Sequence, residues 1–388
     1  MAGARIGLCE PHLAGNEWAY IKECLDTAWV SSAGKFVERF ERDLADYLGE
    51  GVEAVAVVNG TAALHIALLV AGVESGDEVL VPALTFIAPA NAVRYCGAWP
   101  VFMDADPDTW QMDSAKLENF LKEECDQVGG NLINRASGRR VKAVLPVHLL
   151  GHPVDMDQIL AAAREYGLLV IEDATESLGA RYQGRLVGTL GDIACFSFNG
   201  NKLITTGGGG MLTTRQPEWA ARARYLTTQA KDDPVEYIHG AVGFNYRLTN
   251  LQAALGCAQL EQIDNFIEAK KCIAAKYDDA FAQVPGIWLM PRADWAESVF
   301  WLYTMLMKDE EYGMTSRELM YKLAQAGIQT RPLWQPLHHS PAMHDCQAYE
   351  VQNADEIQAQ ALSLPSSVGL SDAQQKQVTS LIASWARS

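Results

Sequence analysis

The feature that most constrains the fold is an alternation of short apolar runs with helical segments over the first two thirds of the chain. The apolar runs include "EAVAVVNG", "DEVLVPA", "VKAVLPVHL" and "GLLVIEDA", and the helical segment "VDMDQILAAAREYG" separates the last two. Strands that alternate with helices in this way form a mostly parallel sheet with helices on both faces. The sequence therefore predicts an α/β fold with a buried central sheet.

The pattern changes near residue 250. The segment "TNLQAALGCAQLEQIDNFIEAKKCIAAKYDDAFAQV" keeps helical periodicity throughout, which predicts one long connecting helix. A strand, "FWLYTMLM", and two helices, "TSRELMYKLAQAG" and "SDAQQKQVTSLIASWARS", follow it. We expect a large domain over residues 1–250 and a smaller α+β domain over residues 251–388, and about the first 20 residues could pack on the small domain.

The charge of the chain narrows the class of ligand. It has 31 basic and 48 acidic residues, a formal net charge of −17, which disfavours nucleic acid and anionic membranes and favours small-molecule chemistry. The N-terminus does not resemble a secretory signal and no run is long enough to span a bilayer, so we expect a cytoplasmic location. The eight cysteines form no C-x-x-C pair and are expected to be reduced.

Two predicted strand ends carry residues suited to binding a ligand. After "EAVAVV", Asn59 and Gly60 lead into a helix that begins at Thr61, and such a turn can hold a phosphate or serve as an ordinary helix cap. "GLLVIEDA" contains Glu172 and Asp173 at the carboxyl edge, where open α/β sheets bind ligands. Because Asp173 follows an apolar run, we expect it to cap a helix, to form a structural ion pair or to contact a cationic ring nitrogen.

Lys202 lies in "CFSFNGNKLITTGGGGMLTT", between a strand that carries Ser197 and four consecutive glycines. An ammonium there is costly unless it reaches solvent, pairs or becomes covalently bound. Enzymes hold pyridoxal phosphate through an imine to such a lysine, with an acidic residue on the pyridinium nitrogen. The strand "MLTT" after glycines 207–210 disfavours a dinucleotide loop. We expect these glycines to allow positive φ and a close approach of the backbone to a cofactor or a neighbouring chain.

One cluster is a candidate metal site. "LHHSPAMHDC" places His338, His339, His344 and Cys346 within nine positions. The spacing gives neither a helical i, i+4 pair nor a known zinc pattern, so we expect no metal there. His338 is instead a candidate substrate contact.

These residues, in this order, resemble the DegT/DnrJ/EryC1/StrS family of pyridoxal-phosphate-dependent sugar aminotransferases. The resemblance covers nearly the whole chain, through "NGTAALHIAL", "GDEVLVPALTFIAPANAVRYCGAWPVFMDAD", "GHPVDMD", "IEDATESLGA", "SFNGNK" and "GFNYRLTNLQAALGCAQLEQI". It implies a fold type I pyridoxal-phosphate enzyme, with a mostly parallel seven-stranded sheet in the large domain and a smaller α+β domain.

The resemblance also implies roles for individual residues. Lys202 looks like the lysine that forms the Schiff base with pyridoxal phosphate and moves a proton to and from the substrate carbon. Asp173 looks like the partner of the pyridinium nitrogen. Gly60, Thr61 and Ser197 look like the cradle of the cofactor phosphate.

Three further residues follow from the resemblance. Phe86 resembles the aromatic residue that stacks on the cofactor ring, with an ordinary core position as the alternative. Glu176 lies where the family has varied polar side chains near the ring hydroxyl. Asn245 of "GFNYR" resembles the residue that reaches the phosphate from the partner subunit, which implies a homodimer with shared active sites. Some relatives carry histidine in place of the lysine and are dehydratases, so Lys202 favours transamination.

The resemblance implies transfer of an amino group from L-glutamate, through the pyridoxamine form of the cofactor, to a nucleotide-linked keto-sugar. The motifs look most like those of enzymes that aminate C4 of UDP-linked 4-keto-6-deoxy-N-acetylhexosamines, and GDP-4-keto-6-deoxymannose is the nearest alternative, ahead of other keto-sugars. Arg247 and Arg331 are candidates for the nucleotide diphosphate or for surface salt bridges. Ser31 and His338 are candidates for the sugar pocket.

Two functions of other classes stay open at this point. A regulatory protein would bind pyridoxal phosphate without turnover. Another lysine-dependent enzyme of the same fold, such as a decarboxylase, an aldolase or a lyase, would act on amino acids without a keto-sugar acceptor.

Overall fold

Seven strands form the central sheet of the large domain. The computed structural model describes residues 5–233 and 235–387. The strands are β1 Glu53–Val57, β2 Glu78–Pro82, β3 Trp99–Met103, β4 Arg140–Val144, β5 Leu169–Asp173, β6 Ile193–Ser197 and β7 Gly210–Thr214. They lie in the order β1-β7-β6-β5-β4-β2-β3. Strand β7 is antiparallel to both of its neighbours and the other pairs are parallel. The predicted mostly parallel α/β sheet is confirmed.

Three short strands extend this sheet to ten. Two of them, Cys125–Val128 and Asn131–Asn134, form a hairpin that precedes β4 in the chain. The second strand of this hairpin pairs antiparallel with β4. Its turn residues Gly129 and Gly130 have positive φ, which glycine adopts without strain. Ala348–Tyr349 pairs parallel with β3, so a late segment of the chain lies on the edge of the large sheet.

Helices cover both faces of the sheet, and this explains why its strands are so apolar: Val79, Leu80 and Val81 of β2 are fully buried. The helices are α1 Glu17–Asp26, α2 Lys35–Leu48, α3 Gly60–Val70, α4 Ala88–Tyr95, α5 Ser114–Glu123, α6 Met156–Tyr166, α7 Pro217–Thr227, α8 Asn250–Leu260, α9 Ile263–Phe281, α10 Asp309–Tyr312, α11 Ser316–Gln325, α12 Gln352–Gln360 and α13 Asp372–Ser384. Helix α3 packs against β6 and β7. Within the described residues, no helix has the length and apolar character needed to cross a membrane.

The C-terminal part of the chain has its own antiparallel sheet of three strands, β8 Ile287–Trp288, β9 Tyr303–Met307 and β10 Ala361–Leu364. Ile6 forms a parallel bridge with Ile328, so the first described residues lie against this part of the molecule. The remaining short strands are Lys231–Asp233 with Ile238–His239, and Arg181–Tyr182 with Arg185–Leu186 and Ala296–Glu297.

The prediction of one long connecting helix is wrong, because α8 ends at Leu260 and α9 begins at Ile263. Glu261 lies in the turn between them. Its carboxylate accepts hydrogen bonds from the Asn16 amide and the Tyr20 hydroxyl, both at 2.7 Å, and pairs with Arg39 at 2.6 Å. These contacts with the first two helices stabilise the turn, while the helical pattern of the sequence continues across it.

Candidate active site

The ends of β5 and β6 and the start of α3 meet at the carboxyl edge of the sheet, around a cavity of about 340 Å³. It is lined by Asn59, Gly60, Thr61, Leu64, Phe86, Ala88, Thr175, Glu176, Ser197, Asn199, Asn201, Lys202, Trp301 and Trp334. Most residues predicted to bind a cofactor therefore line one cavity, although they come from distant segments. Asp173 is buried beside Thr175 rather than on the cavity surface.

The N-terminus of α3 forms one wall. The Asn59 side chain caps the helix by accepting a hydrogen bond from the Ala62 amide at 2.8 Å. Within residues 5–233 and 235–387, the amide N–H groups of Gly60 and Thr61 donate to no protein acceptor. A Cβ on Gly60 would lie 2.9 Å from the Ser197 Cβ, so glycine lets the helix begin this close to the end of β6. Free amides at a helix N-terminus beside a serine can hold a phosphate.

The last of glycines 207–210 packs against the turn at the N-terminus of α3. Gly207 has φ +79°, a conformation that side chains rarely adopt, and a Cβ on Gly210 would lie 2.5 Å from the carbonyl carbon of Asn59. The expected positive φ therefore occurs at Gly207, whereas a close approach to a cofactor or a neighbouring chain stays a prediction. The close approach seen at Gly210 is to the chain's own Asn59–Gly60 turn.

Lys202 extends into the cavity with few contacts. Its Nζ lies 3.7 Å from Oε1 of Glu176 and 4.1 Å from the centroid of the Trp301 ring, and its side chain is 14% exposed. The indole N–H of Trp301 donates to the carbonyl of Asn201 at 2.6 Å, which fixes the backbone next to the lysine. The backbone beside the lysine is thus fixed, whereas the amine itself makes no hydrogen bond of ordinary length.

Asp173 is 2% exposed, and its Oδ1 accepts a hydrogen bond from the Thr175 amide at 3.0 Å. Burial raises the pKa of this carboxyl, against the hydrogen bonds from Thr175 and the positive charge of Lys202. A buried carboxylate of this kind is stabilised by a cation placed against it.

Glu176 is the second buried carboxyl of the site. Its Oε2 accepts the Leu150 amide at 2.8 Å, while Oε1 faces Lys202. Burial raises its pKa to about 7, although the positive charge of Lys202 opposes the shift. Glu176 can therefore hold or release a proton near neutral pH, next to the amine.

A fully buried pair, Glu172 and His148, lies directly behind Asp173, and no sequence pattern singles out His148. The Glu172 carboxylate accepts hydrogen bonds from His148 Nε2 at 3.0 Å and from the amides of Gly188, Leu190 and Gly191 at 2.8, 2.7 and 2.6 Å. The Val154 amide donates to His148 Nδ1, so Nε2 carries the proton. Burial opposes ionisation of Glu172, but these donors lower its pKa. The His148 amide in turn donates to the Asp173 carbonyl at 3.0 Å, which anchors the strand end.

Aromatic side chains form the outer wall. Phe86 is 51% exposed, so it is not a core residue of this chain, and its ring meets Trp334 edge-to-face at 6.2 Å between centroids. Trp334 is parallel to Trp301 at 6.3 Å. Neither tryptophan belongs to a motif that the sequence reveals, because both come from the C-terminal part of the chain.

Three candidate residues lie outside the cavity. Asn245 and Arg247 are exposed on the segment that pairs with Thr228 and Val57. Ser31 is exposed as well, and its carbonyl accepts the Asn250 amide at 2.6 Å. Within one chain, these side chains do not join the Lys202 cavity.

The other two candidates lie on the C-terminal side. Arg331 lines a second cavity of about 580 Å³, which shares Asn201, Trp301 and Trp334 with the first. Its Nη1 donates to the neighbouring Thr330 carbonyl at 2.8 Å. His338 is not on the surface of either cavity and contacts Asp355.

Comparison with known proteins decides the family. Residues 11–383 match the DegT/DnrJ/EryC1/StrS aminotransferase family. The chain belongs to this family. It is 43% identical over 370 residues to the GDP-perosamine synthase of Caulobacter vibrioides, covering 95% of each chain. It is 37% identical over 382 residues to a putative pyridoxal phosphate-dependent aminotransferase of Bacillus subtilis, covering 97% of this chain and 95% of the relative.

Solved structures of DegT-family enzymes share the fold. DesV from S. venezuelae superposes with a TM-score of 0.86 at 33% identity, covering 96% of this chain and 95% of DesV. The aminotransferase TlmJ from Streptoalloteichus hindustanus gives 0.86 at 29% identity, covering 98% and 99%. The predicted family, the aminotransferase class and the dependence on pyridoxal phosphate are confirmed.

The cavity also fits pyridoxal phosphate by its own geometry. The free amides of Gly60 and Thr61 suit a phosphate, and the exposed ring of Phe86 offers a face for an aromatic ring. The buried Asp173 suits a cationic nitrogen, and the loosely held amine of Lys202 suits a covalent bond to an aldehyde. Each part of the cofactor thus has a suitable group in this DegT-family site.

Proposed function

We propose that this DegT-family enzyme transfers an amino group from L-glutamate to C4 of a GDP-linked 4-keto-6-deoxy sugar. The observation that carries the proposal is the amine of Lys202, which lies with few contacts in a cavity that also offers a phosphate cradle and a buried carboxyl. For the acceptor, support comes from three relatives named GDP-perosamine synthase, at 43%, 38% and 35% identity over nearly the whole chain. A cytoplasmic location belongs to this proposal.

The proposed acceptor carries GDP, whereas the sequence motifs favour a UDP-linked acceptor. Nothing among the residues of the cavity selects between guanine and uracil, so the preference for GDP rests on the three relatives. A UDP-linked 4-keto-6-deoxy-N-acetylhexosamine remains the second acceptor to be tested.

The side chains act as follows. Pyridoxal phosphate, when bound, supplies the electron sink that amino-group transfer requires. Gly60 and Thr61 would hold its phosphate through their amides, together with the Ser197 hydroxyl. Asp173 would hold the ring nitrogen, because a cation placed against this buried carboxyl would offset the effect of burial, which raises its pKa. Lys202 would hold the cofactor through its amine, and its Nζ would move a proton at the substrate carbon.

The neighbouring groups control this lysine and the ring. Glu176 holds or releases a proton beside Nζ near neutral pH. Phe86 would cover one face of the ring, and Trp301 and Trp334 would limit access of water. Among the described residues that line the two adjoining cavities, Lys202 and Arg331 are the only cations, so we assign Arg331 to an anionic group of a substrate.

The proposal includes a homodimer in which Asn245 and Arg247 complete the partner's site. Both are exposed and lie outside their own chain's cavity. Apolar side chains nearby, including Val235, Tyr237 and Val242, are largely exposed, which is typical of a surface covered by another chain.

Absorption spectroscopy of the purified enzyme tests the reaction. L-glutamate should remove the visible band of the bound cofactor, and addition of GDP-4-keto-6-deoxymannose should restore it while an amino sugar forms. Restoration by the UDP-linked acceptor alone would move the proposal to the second acceptor. Loss of the band with no restoration by any keto-sugar nucleotide would contradict the sugar substrate, and a cofactor that binds without any response to amino donors would favour a regulatory role.

Mixing two impaired variants tests the shared site. Lys202→Ala removes the amine, and Asn245→Asp places a negative charge against the phosphate. A refolded equimolar mixture should regain about a quarter of wild-type activity, because about half of the dimers are heterodimers and each of these has one of its two sites intact. No recovery would mean that Asn245 acts in its own chain, and full activity of Asn245→Asp before mixing would mean that it acts in no site.

A further inference from the structure

A second cluster of titratable side chains lies apart from the Lys202 cavity. His338 and His339 belong to the short 3-10 turn Leu337–His339, and Asp355 lies on α12. Both imidazole Nε2 atoms approach the same oxygen, Asp355 Oδ1, at 3.3 Å from His338 and 2.9 Å from His339. The two ring centroids are 4.0 Å apart. Two consecutive side chains thus converge on one carboxylate from another element.

We infer that His338, His339 and Asp355 form a binding site for a divalent transition-metal ion such as Zn²⁺, Co²⁺ or Ni²⁺. One ligand atom from each residue lies within 4.8 Å of the other two, which is compact enough for a shared ion. Two imidazole nitrogens and a carboxylate oxygen are ligands that these metals prefer in proteins. Three protein ligands leave at least one position open to solvent or to an exogenous ligand.

Hydrogen bonding alone explains this arrangement poorly. The contact from His338 is long, and its Nδ1 is buried without a hydrogen-bond partner in the part of the chain that the structure describes. Asp355 Oδ1 can accept from two donors, but only the 2.9 Å contact from His339 is a hydrogen bond of ordinary length.

Both elements that carry the ligands are fixed to the large sheet. The Leu337 amide donates to the Ala83 carbonyl at 2.8 Å. At the start of α12, the amides of Asn353 and Ala354 donate to Asp104 at 3.1 and 2.8 Å. The convergence therefore does not depend on free rotation of either element, and the ligands are already close before an ion binds.

The three proposed ligands differ in their exposure to solvent. His338 is largely buried, with 13% of its side chain exposed, while His339 and Asp355 are 49% and 42% exposed. An ion can therefore enter from solvent. The sequence grouped these histidines with His344 and Cys346, but His344 Nδ1 lies 3.0 Å from the Pro341 carbonyl and is not part of the compact cluster.

Calorimetric titration of the holoenzyme with Zn²⁺, repeated with Co²⁺ to record its visible spectrum, tests this site. We expect one ion per chain with micromolar affinity. His339→Ala and Asp355→Asn should each weaken binding by more than the roughly tenfold cost of losing an outer-shell contact. His344→Ala is the matched control and should bind like the wild type.

Two results would contradict the metal site. Absence of binding at micromolar metal, or unchanged binding in both His339→Ala and Asp355→Asn, would overturn the site. Equal loss in the His344→Ala control would overturn the ligand set. Because His339 is half exposed and outside the cofactor cavity, circular dichroism and cofactor content should stay normal in His339→Ala, which shows that the variant is folded.

Discussion

Two lysines contact the same tryptophan, and their surroundings differ. Lys270, on α9, is 1% exposed, and its Nζ donates to the carbonyl of Trp301 at 2.8 Å and to the carbonyl of Ser366. The sulfur of Cys9 lies 3.7 Å away and provides a third acceptor. An ammonium has three N–H donors, so Lys270 has an acceptor for each of them.

Lys202 contacts the other part of the same residue, the indole ring, and its nearest carboxylate oxygen is 3.7 Å away. Burial lowers the pKa of Lys270, and this alone would make Lys270 a candidate nucleophile. Yet Lys270 lines neither of the two cavities beside Trp301, whereas Lys202 lines one. The comparison indicates that access and unused hydrogen-bond donors, rather than burial, distinguish the reactive lysine from the structural one.

The largest expected effect tests the reactive lysine. Lys202→Ala should reduce turnover by on the order of 10⁴-fold or more, because it removes both the covalent attachment and the proton carrier. Thermal unfolding of the cofactor-free protein should change little, since Nζ makes no hydrogen bond of ordinary length. Lys202→Arg, which keeps the charge, should be equally inactive, and substantial turnover in either variant would contradict the assignment.

The next effect tests the structural lysine. Lys270→Met keeps the length of the side chain but leaves the buried carbonyls of Trp301 and Ser366 without their donor. Urea unfolding should show a loss of about 2–4 kcal/mol. The folded fraction should still turn over substrate. A stable but inactive Lys270→Met protein would reverse the roles of the two lysines.

The third prediction concerns Glu176, beside Lys202, and the pH dependence of the free energy of unfolding. Burial raises its pKa to about 7 in the folded state from an ordinary value of 4.5, so the folded protein holds a proton that the unfolded chain releases. The cofactor-free protein should therefore lose stability as the pH rises from about 4.5 to about 7. Glu176→Gln should flatten this fall by about 1–3 kcal/mol. The pKa of Asp173 is raised as well, so part of the slope should persist.

Urea unfolding at several pH values measures that slope. The matched control is Glu268→Gln. Glu268 lies on α9 and does not line the Lys202 cavity. Identical slopes in the wild type and in Glu176→Gln would mean that folding does not raise the pKa of Glu176, which would contradict the effect of burial.

The smallest effect concerns the residue that both lysines share. Trp301→Phe keeps an aromatic ring near Lys202 but removes the indole donor to the Asn201 carbonyl. We expect a loss of about 1 kcal/mol in unfolding free energy and a modest decrease in kcat, because the lysine loop loses one anchor. A decrease in kcat as large as that of Lys202→Ala would show that the ring itself is required for the chemistry.

Much of the site could be predicted from the sequence, because its motifs are local. Gly60 and Thr61 follow a strand, Asp173 ends one, and Lys202 precedes a glycine run, and parallel strands bring such positions to the same edge. The positions of Asn245 and Arg247 outside the cavity agree with a role at a partner's site, which stays a prediction.

Other features depend on contacts between distant segments and could not be predicted. Trp301, Trp334 and His148 reach the site through tertiary packing that no short motif encodes. The turn at Glu261 escaped prediction because its stabilising partners lie on the first two helices. Asp355 joins the two histidines only once α12 is placed against the sheet.

The most direct test of the central claim is to find which lysine carries the cofactor. Borohydride reduction of the holoenzyme fixes pyridoxal phosphate on the lysine that binds it, and peptide mass spectrometry then identifies that residue. We predict the label on Lys202 and none on Lys270. Label on Lys270, or a holoenzyme whose Lys202 peptide stays unlabelled, would contradict the distinction between the two lysines.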